Sequence, residues 1–181
     1  MNTSSFIDLI KEKIELASKR NKLVLSNQAK LYLIKLFAVD LLKNSKIQPS
    51  DILDTNIFFD NLPNNEETRK HLKSVGDYYL SVAGYIPEAL VNNLVDHTYF
   101  LSLGQHSFFR LHQRIKGDSL FKELSFEYMN TVYLMNEVFD SIKVITEDDI
   151  LKTYGAWTET KHQIFRKRLE RYGVKTKVIS D

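Results

Sequence analysis

Residues 97–142 read HTYFLSLGQHSFFRLHQRIKGDSLFKELSFEYMNTVYLMNEVFDSI. This stretch decides the fold, because its apolar residues recur at helical spacing and no strand-type alternation runs through it. Gly117 divides it: a glycine stops the first helix, and Asp118 or Ser119 supplies an oxygen to cap the next. In the first half, Phe100, Leu101, Gly104, Phe108, Leu111 and Ile115 share one side of a helix over 97–116. Tyr99, Leu103, His106 and Arg110 share the other. A helix that is apolar on both sides belongs in the middle of a domain. His106 and Arg110 then need partners, since an unpaired buried charge is costly.

The second half predicts one continuous helix over 120–142. Leu120, Leu124, Tyr128, Thr131, Met135, Phe139 and Ile142 form its main stripe. Glu123, Phe126, Asn130, Tyr133 and Glu137 form a second stripe that mixes rings with polar groups. Such a stripe either packs on another helix with its polar groups at the rim, or meets a ligand or partner.

Outward from this stretch the chain continues as capped helices. Phe6, Ile7, Ile10, Ile14 and Ala17 predict a helix over 5–19, and Ser26 or Asn27 opens a second, to about residue 44. Residues 45–65, with Pro49 and Pro63, read as a loop with one helical turn near 50–53. Asn64 or Asn65 caps a third helix over 66–83, and Pro87 ends it or starts a short helix over 88–95. Thr146, followed by three acids, opens a helix to about Trp157. Thr158 opens the last, ending near Tyr172. The expected architecture is all-α: one orthogonal bundle of six to eight helices over residues 1–173, with a flexible tail over 174–181.

Composition limits the functions available. The 181-residue chain has no cysteine, which excludes thiol catalysis, Cys-ligated metal and disulfides. A net charge of +2 is too small to call for nucleic acid. Six glycines and three prolines disfavour many-turned all-β architectures. No apolar run is long enough for a signal or membrane segment, so a cytoplasmic location is expected.

No phosphate loop, dinucleotide fingerprint, nucleophile elbow or zincin motif occurs, and no cofactor is expected. A helical di-metal site wants Glu-x-x-His pairs. The chain offers Glu67 with His71, Glu123 with Glu127, and His106, none at that spacing. His97 reads as a helix-start residue, and His112 and His162 as solvated. Gly76, Gly84 and Gly104 lie within or at the end of apolar helices; they mark tight helix crossings, or else leave room for a ligand beside Tyr78, Tyr79, Tyr99 and His106.

Charge is uneven along the chain. From Thr158 to Asp181 there are seven Lys and Arg against three Asp and Glu. Docking Ile164, Phe165, Leu169 and Tyr172 turns Arg166, Lys167 and Arg171 outward; together with Arg168 they form the candidate nucleic-acid surface. A helix pair over 145–172, turning at 155–158, resembles helix-turn-helix only loosely.

The segments VGDYYLSVAGYIPEAL (75–90), YFLSLGQHSFFRL (99–111) and LFKELSFEYMNTVYLMNEV (120–138) resemble a family of uncharacterised bacterial helical proteins. The likeness covers residues 66–142. It implies a bacterial, helical, cytoplasmic domain and draws attention to Gly76, Asp77, Gly84, Pro87, Glu88, Tyr99, Gly104, Glu123, Asn136 and Glu137, without assigning any a role.

The leading expectation is a non-enzymatic interaction or regulatory domain. It binds a protein partner or a second subunit through Phe126, Asn130, Tyr133 and Glu137. A helical small-molecule or metal-dependent enzyme is the alternative, built on a polar cluster of Asp77, Tyr99, His106, Arg110 and Glu137. Nucleic-acid binding through Arg166, Lys167, Arg168 and Arg171 is the third.

Overall fold

The computed structural model describes residues 3–43, 62–91 and 96–176, and among these it contains eight α-helices and no strand. They are α1 (Thr3–Arg20), α2 (Asn27–Lys43), α3 (Glu66–Tyr85), α4 (His97–Arg114), α5 (Leu120–Phe126), α6 (Tyr128–Ile142), α7 (Glu147–Thr160) and α8 (Gln163–Arg171). A 3-10 turn, Pro87–Leu90, follows α3. The protein is an all-α bundle, and none of the described helices is long and apolar enough to cross a membrane. The expected turn near 50–53 and most of the expected tail lie outside the described residues.

Asn65, Asp96, Asp118 and Thr146 cap helices where the sequence predicts. Asn65 Oδ1 accepts from the Thr68 amide at 2.8 Å, and Asp96 Oδ1 accepts from Thr98 at 2.9 Å. Asp118 Oδ2 accepts from the Phe121 amide at 3.0 Å. Thr146 and Asp149 form a reciprocal capping box at the start of α7.

Helix α3 is central and packs chiefly on α4 and α6, while α1 lies against α6 and α2. Leu72, Val75, Tyr79, Leu80 and Ala83 bury the α3 stripe. The close crossing with α4 depends on a missing side chain: a Cβ on Gly76 would sit 2.4 Å from the Phe108 ring. Gly104 of α4 is tighter still, since its Cβ would fall 2.0 Å from the Tyr128 hydroxyl of α6. Tyr128 and Phe108 are thus seated against glycine backbones, which is the tight-crossing reading of these glycines. Asn136, buried in α6, donates to the Ala83 and Gly84 carbonyls at 2.6 and 2.8 Å, tying down the end of α3.

Two boundaries differ from expectation. The helix predicted over 120–142 breaks at Glu127. Gln105 of α4 donates to the Ser125 carbonyl at 2.9 Å, and the Ser125 hydroxyl bonds back to Lys122 O at 2.8 Å. Both compete with the regular ladder, and a tertiary contact of this kind leaves no local mark in the sequence. The last helix opens at His162 and not at Thr158. Lys161 takes a left-handed φ of 55° and closes α7, leaving Gly155 inside that helix. The loose helix-turn-helix reading over 145–172, which needed a turn at 155–158, is therefore corrected.

Candidate functional site

The predicted partner face, Phe126, Asn130, Tyr133 and Glu137, does not form one open stripe, because the break at Glu127 separates Phe126 from the other three. Phe126 is 68 % exposed. It lines a cleft of about 290 Å³ with His106, Phe109, Gln105 and Ser102. Asn130 is exposed and donates to Glu127 at 2.8 Å. Tyr133 is half-buried under α8, with the Lys167 ammonium 3.8 Å from its ring centre. Glu137 meets α1, accepting from Asn21 at 2.7 Å and pairing with Arg20 at 3.0 Å. Half of the expected docking face is thus occupied by the protein's own helices.

Of the expected polar cluster Asp77, Tyr99, His106, Arg110 and Glu137, Asp77 and Glu137 meet partners outside the set. Asp77 pairs with Lys73 and accepts from the Tyr32 hydroxyl. Burial pushes its carboxyl up, and Lys73 and Tyr32 oppose that shift. Tyr99 packs edge-on against Phe100, whereas Arg110 is buried in α4 and Glu137 faces α1. Among the described residues no three His, Asp or Glu side chains are grouped to hold a metal ion.

The basic residues of α8 are the clearest correction. Arg168 is 2 % exposed and shares the buried face with Ile164, Phe165 and Leu169. Its Nη1 reaches both Glu88 carboxylate oxygens, at 3.2 and 3.0 Å. Nη2 donates to Tyr85 O at 3.0 Å and Asp140 Oδ1 at 2.8 Å, and Nε to Asp140 Oδ1 at 3.0 Å and the Tyr172 hydroxyl at 2.6 Å. Burial works against the charge, but Glu88 and Asp140 hold the guanidinium above its ordinary pKa. Arg171 shares Asp140 at 2.9 Å, Arg166 pairs with Glu170 at 3.0 Å, and Lys167 covers Tyr133. The proposed phosphate-binding quartet is therefore not a solvent-facing set. Arg168 is the bolt that fastens α8 to the 3-10 turn and to α6. Grouping it with its neighbours by charge hid its helical phase: position 168 falls one turn after Ile164, on the buried side.

Beside this bolt lies a cleft of about 510 Å³ lined by Glu88, Lys143, Asp149, Lys152, Thr153 and Arg168, among others. Most of its charges are paired, and Glu159, which also lines it, has no charged partner among the described residues. Lys143 meets Asp149 at 2.6 Å, Lys152 meets Asp148 at 2.5 Å, and Glu88 accepts from both Arg168 and the Thr153 hydroxyl. Lys143 and the Thr146 amide hold the Asp149 carboxyl well below the usual carboxylate range. The cleft carries both signs of charge, so it presents no single-sign field to a ligand.

A further apolar surface lies on α7. The core-facing positions of this helix are Thr153 and Ala156, both buried. One flank carries Leu151, Tyr154 and Trp157, each about one turn from the next, with Ile150 beside Leu151; Ile150 and Trp157 are half-buried. Leu151 is 68 % exposed and Tyr154 48 %, with the Tyr154 and Trp157 rings 5.9 Å apart. The Lys161 ammonium sits 4.6 Å above the Trp157 ring and ends the stripe. Leu151 and Tyr154 face out while the two fully buried positions are small, and Trp157 is half-buried at the edge of the core. The signal is legible in the sequence: Leu151 and Tyr154 are out of phase with Thr153 and Ala156, whereas Trp157 lies close to Thr153 in phase.

Compared with known proteins, the chain matches no protein-family model, and no curated protein or solved structure matches it.

Proposed function

We propose that this chain is an interaction domain that docks another protein through the outer flank of α7. The observation that carries the reading is the exposed pair Leu151 and Tyr154, bordered by the half-buried Ile150 and Trp157, on a helix whose fully buried positions are small. Tyr and Trp supply large contact area at low entropic cost, and an exposed ring-bearing stripe flanked by charges has the composition of an interface centre and rim. The ion pairs around Arg168 support it from behind, because they fix α7 and α8 on the bundle and make the stripe a rigid ledge. Phe126, beside the second cleft, is an exposed ring outside this ledge.

The test is site-specific photocross-linking in the expressing cell. A cross-linker replacing Leu151 is expected to give a discrete adduct, and one replacing Lys122 on α5 none. Equal yields at the two positions, or no adduct at Leu151, overturn the reading.

A further inference from the structure

We infer that the partner on α7 is a second copy of this chain, packed antiparallel about a two-fold axis that passes beside Tyr154. The inference rests on the docking reading above and specifies its occupant.

The stripe is complementary to its own reversal: apolar positions fall opposite apolar ones, and a negative end falls opposite a positive end. Tyr154 lies midway between Glu147 and Lys161, and Leu151 and Trp157 lie equally far on either side of it. An antiparallel copy therefore sets Leu151 against the partner's Trp157, Tyr154 against its own counterpart, and Glu147 against the partner's Lys161. Each contact is made twice, as an isologous interface requires. A parallel arrangement would instead bring Glu147 against glutamate and Lys161 against lysine. Antiparallel packing also opposes the two helix dipoles favourably.

The first turn of α7 singles out Glu147 for this role. Asp149 is committed to the capping box and to Lys143, and Asp148 to Lys152. Glu147 has no charged partner among the described residues. At the other end, the Lys161 ammonium rests on the Trp157 ring and meets no carboxylate among the described residues. The two unpaired opposite charges at the ends of the exposed stripe are separated by about four helical turns, roughly 21 Å at 1.5 Å per residue. Two such stripes laid antiparallel bring both charges into register at once. A single helix pair is a small interface, so the dimer is expected to be weak and concentration-dependent.

Light scattering of the purified full chain over a wide concentration range, with charge exchange, tests this. The wild type is expected to shift from monomer to dimer. Glu147→Lys or Lys161→Glu alone creates like-charge contacts at both ends and is expected to weaken the dimer roughly tenfold. The double exchange restores the pairs in reversed sense and is expected to recover most of the affinity. Tyr154→Glu is expected to abolish the dimer, with an unchanged circular-dichroism spectrum showing that the bundle is intact. A wild type that stays monomeric overturns the self-association inference and leaves the docking reading to the cross-linking test. A dimer insensitive to Tyr154→Glu also overturns it. A dimer lost with Tyr154→Glu but indifferent to charge exchange overturns the antiparallel pairing.

Discussion

Arg168 and Glu88, eighty residues apart in the chain, form a two-oxygen ion pair at 3.2 and 3.0 Å that joins α8 to the turn after α3. Asp140 of α6 completes the set from the other side, with Tyr172 donating to the same carboxylate at 3.0 Å. Removing the guanidinium leaves two carboxylates facing each other without their shared cation. Arg168→Leu is expected to cost about 3 kcal/mol, the lower end for breaking a buried pair, measured by urea denaturation. The loss should be felt most in α7 and α8, whose amides should exchange faster than those of α3. A near-neutral result would mean that α7 and α8 are held by apolar contacts alone.

The seating of Tyr128 on Gly104 gives a second expectation. Gly104→Ala puts a methyl group 2.0 Å from the hydroxyl and 2.7 Å from the ring carbon that bears it. Overpacking of this kind is expected to cost about 2 kcal/mol, read as a lowered midpoint at unchanged denaturant slope. The Tyr128 hydroxyl is buried and finds no hydrogen-bond partner among the described residues, and burial pushes its pKa up. Tyr128→Phe should therefore leave stability within about 1 kcal/mol of wild type or raise it. It should also relieve part, not all, of the Gly104→Ala penalty, since the ring carbon remains.

Histidine chemistry sets an acid limit on stability. His162 caps α8, its Nδ1 accepting from the Ile164 amide at 3.3 Å, and its ring lies 4.8 Å from that of His97 at the start of α4. Burial, and then His97, push its pKa below the ordinary 6.5, while Asp96 pulls the other way. The folded state therefore resists a proton that the unfolded chain accepts. Stability is at its full value above pH 6.5 and falls as the pH drops from there through the lowered folded value. His162→Asn keeps a capping oxygen but cannot titrate, so it should flatten the melting temperature over that window. An equally steep acid loss in the variant would place the effect elsewhere.

The start of α7 offers a local test. Thr146→Ala removes one half of the capping box and should cost about 1 kcal/mol, measured by thermal or urea unfolding. Faster amide exchange confined to the first turn of α7 would accompany it.

Most of the architecture could be read from local chemistry. Asn65, Asp96, Asp118 and the Thr146–Asp149 box are side-chain caps, and their helices begin where the oxygen atoms predict. The glycines at positions 76 and 104 announced close crossings because a glycine inside a helix is otherwise a loss. What escaped was set by distant partners. Gln105 interrupts the Ser125 ladder from another helix, and that contact split the expected Phe126–Glu137 face. The charge of Arg168, shared with Arg166, Lys167 and Arg171, suggests solvent, although its phase matches Ile164. Its carboxylates come from residues 88 and 140, which no local window contains. Asp77 and Glu137 of the expected polar cluster turn to Tyr32, Lys73 and α1 for the same reason: helical phase sets which way a side chain points, but not which helix it will meet.

The chain has no cysteine, so Tyr154→Cys carries a single thiol at the proposed two-fold axis. Mild oxidation of the purified variant, compared with Lys122→Cys on α5, measures directly whether two α7 helices face each other there. The account predicts a covalent dimer from Tyr154→Cys and monomer from Lys122→Cys. Monomer from both, or dimer formed equally by both, would contradict it.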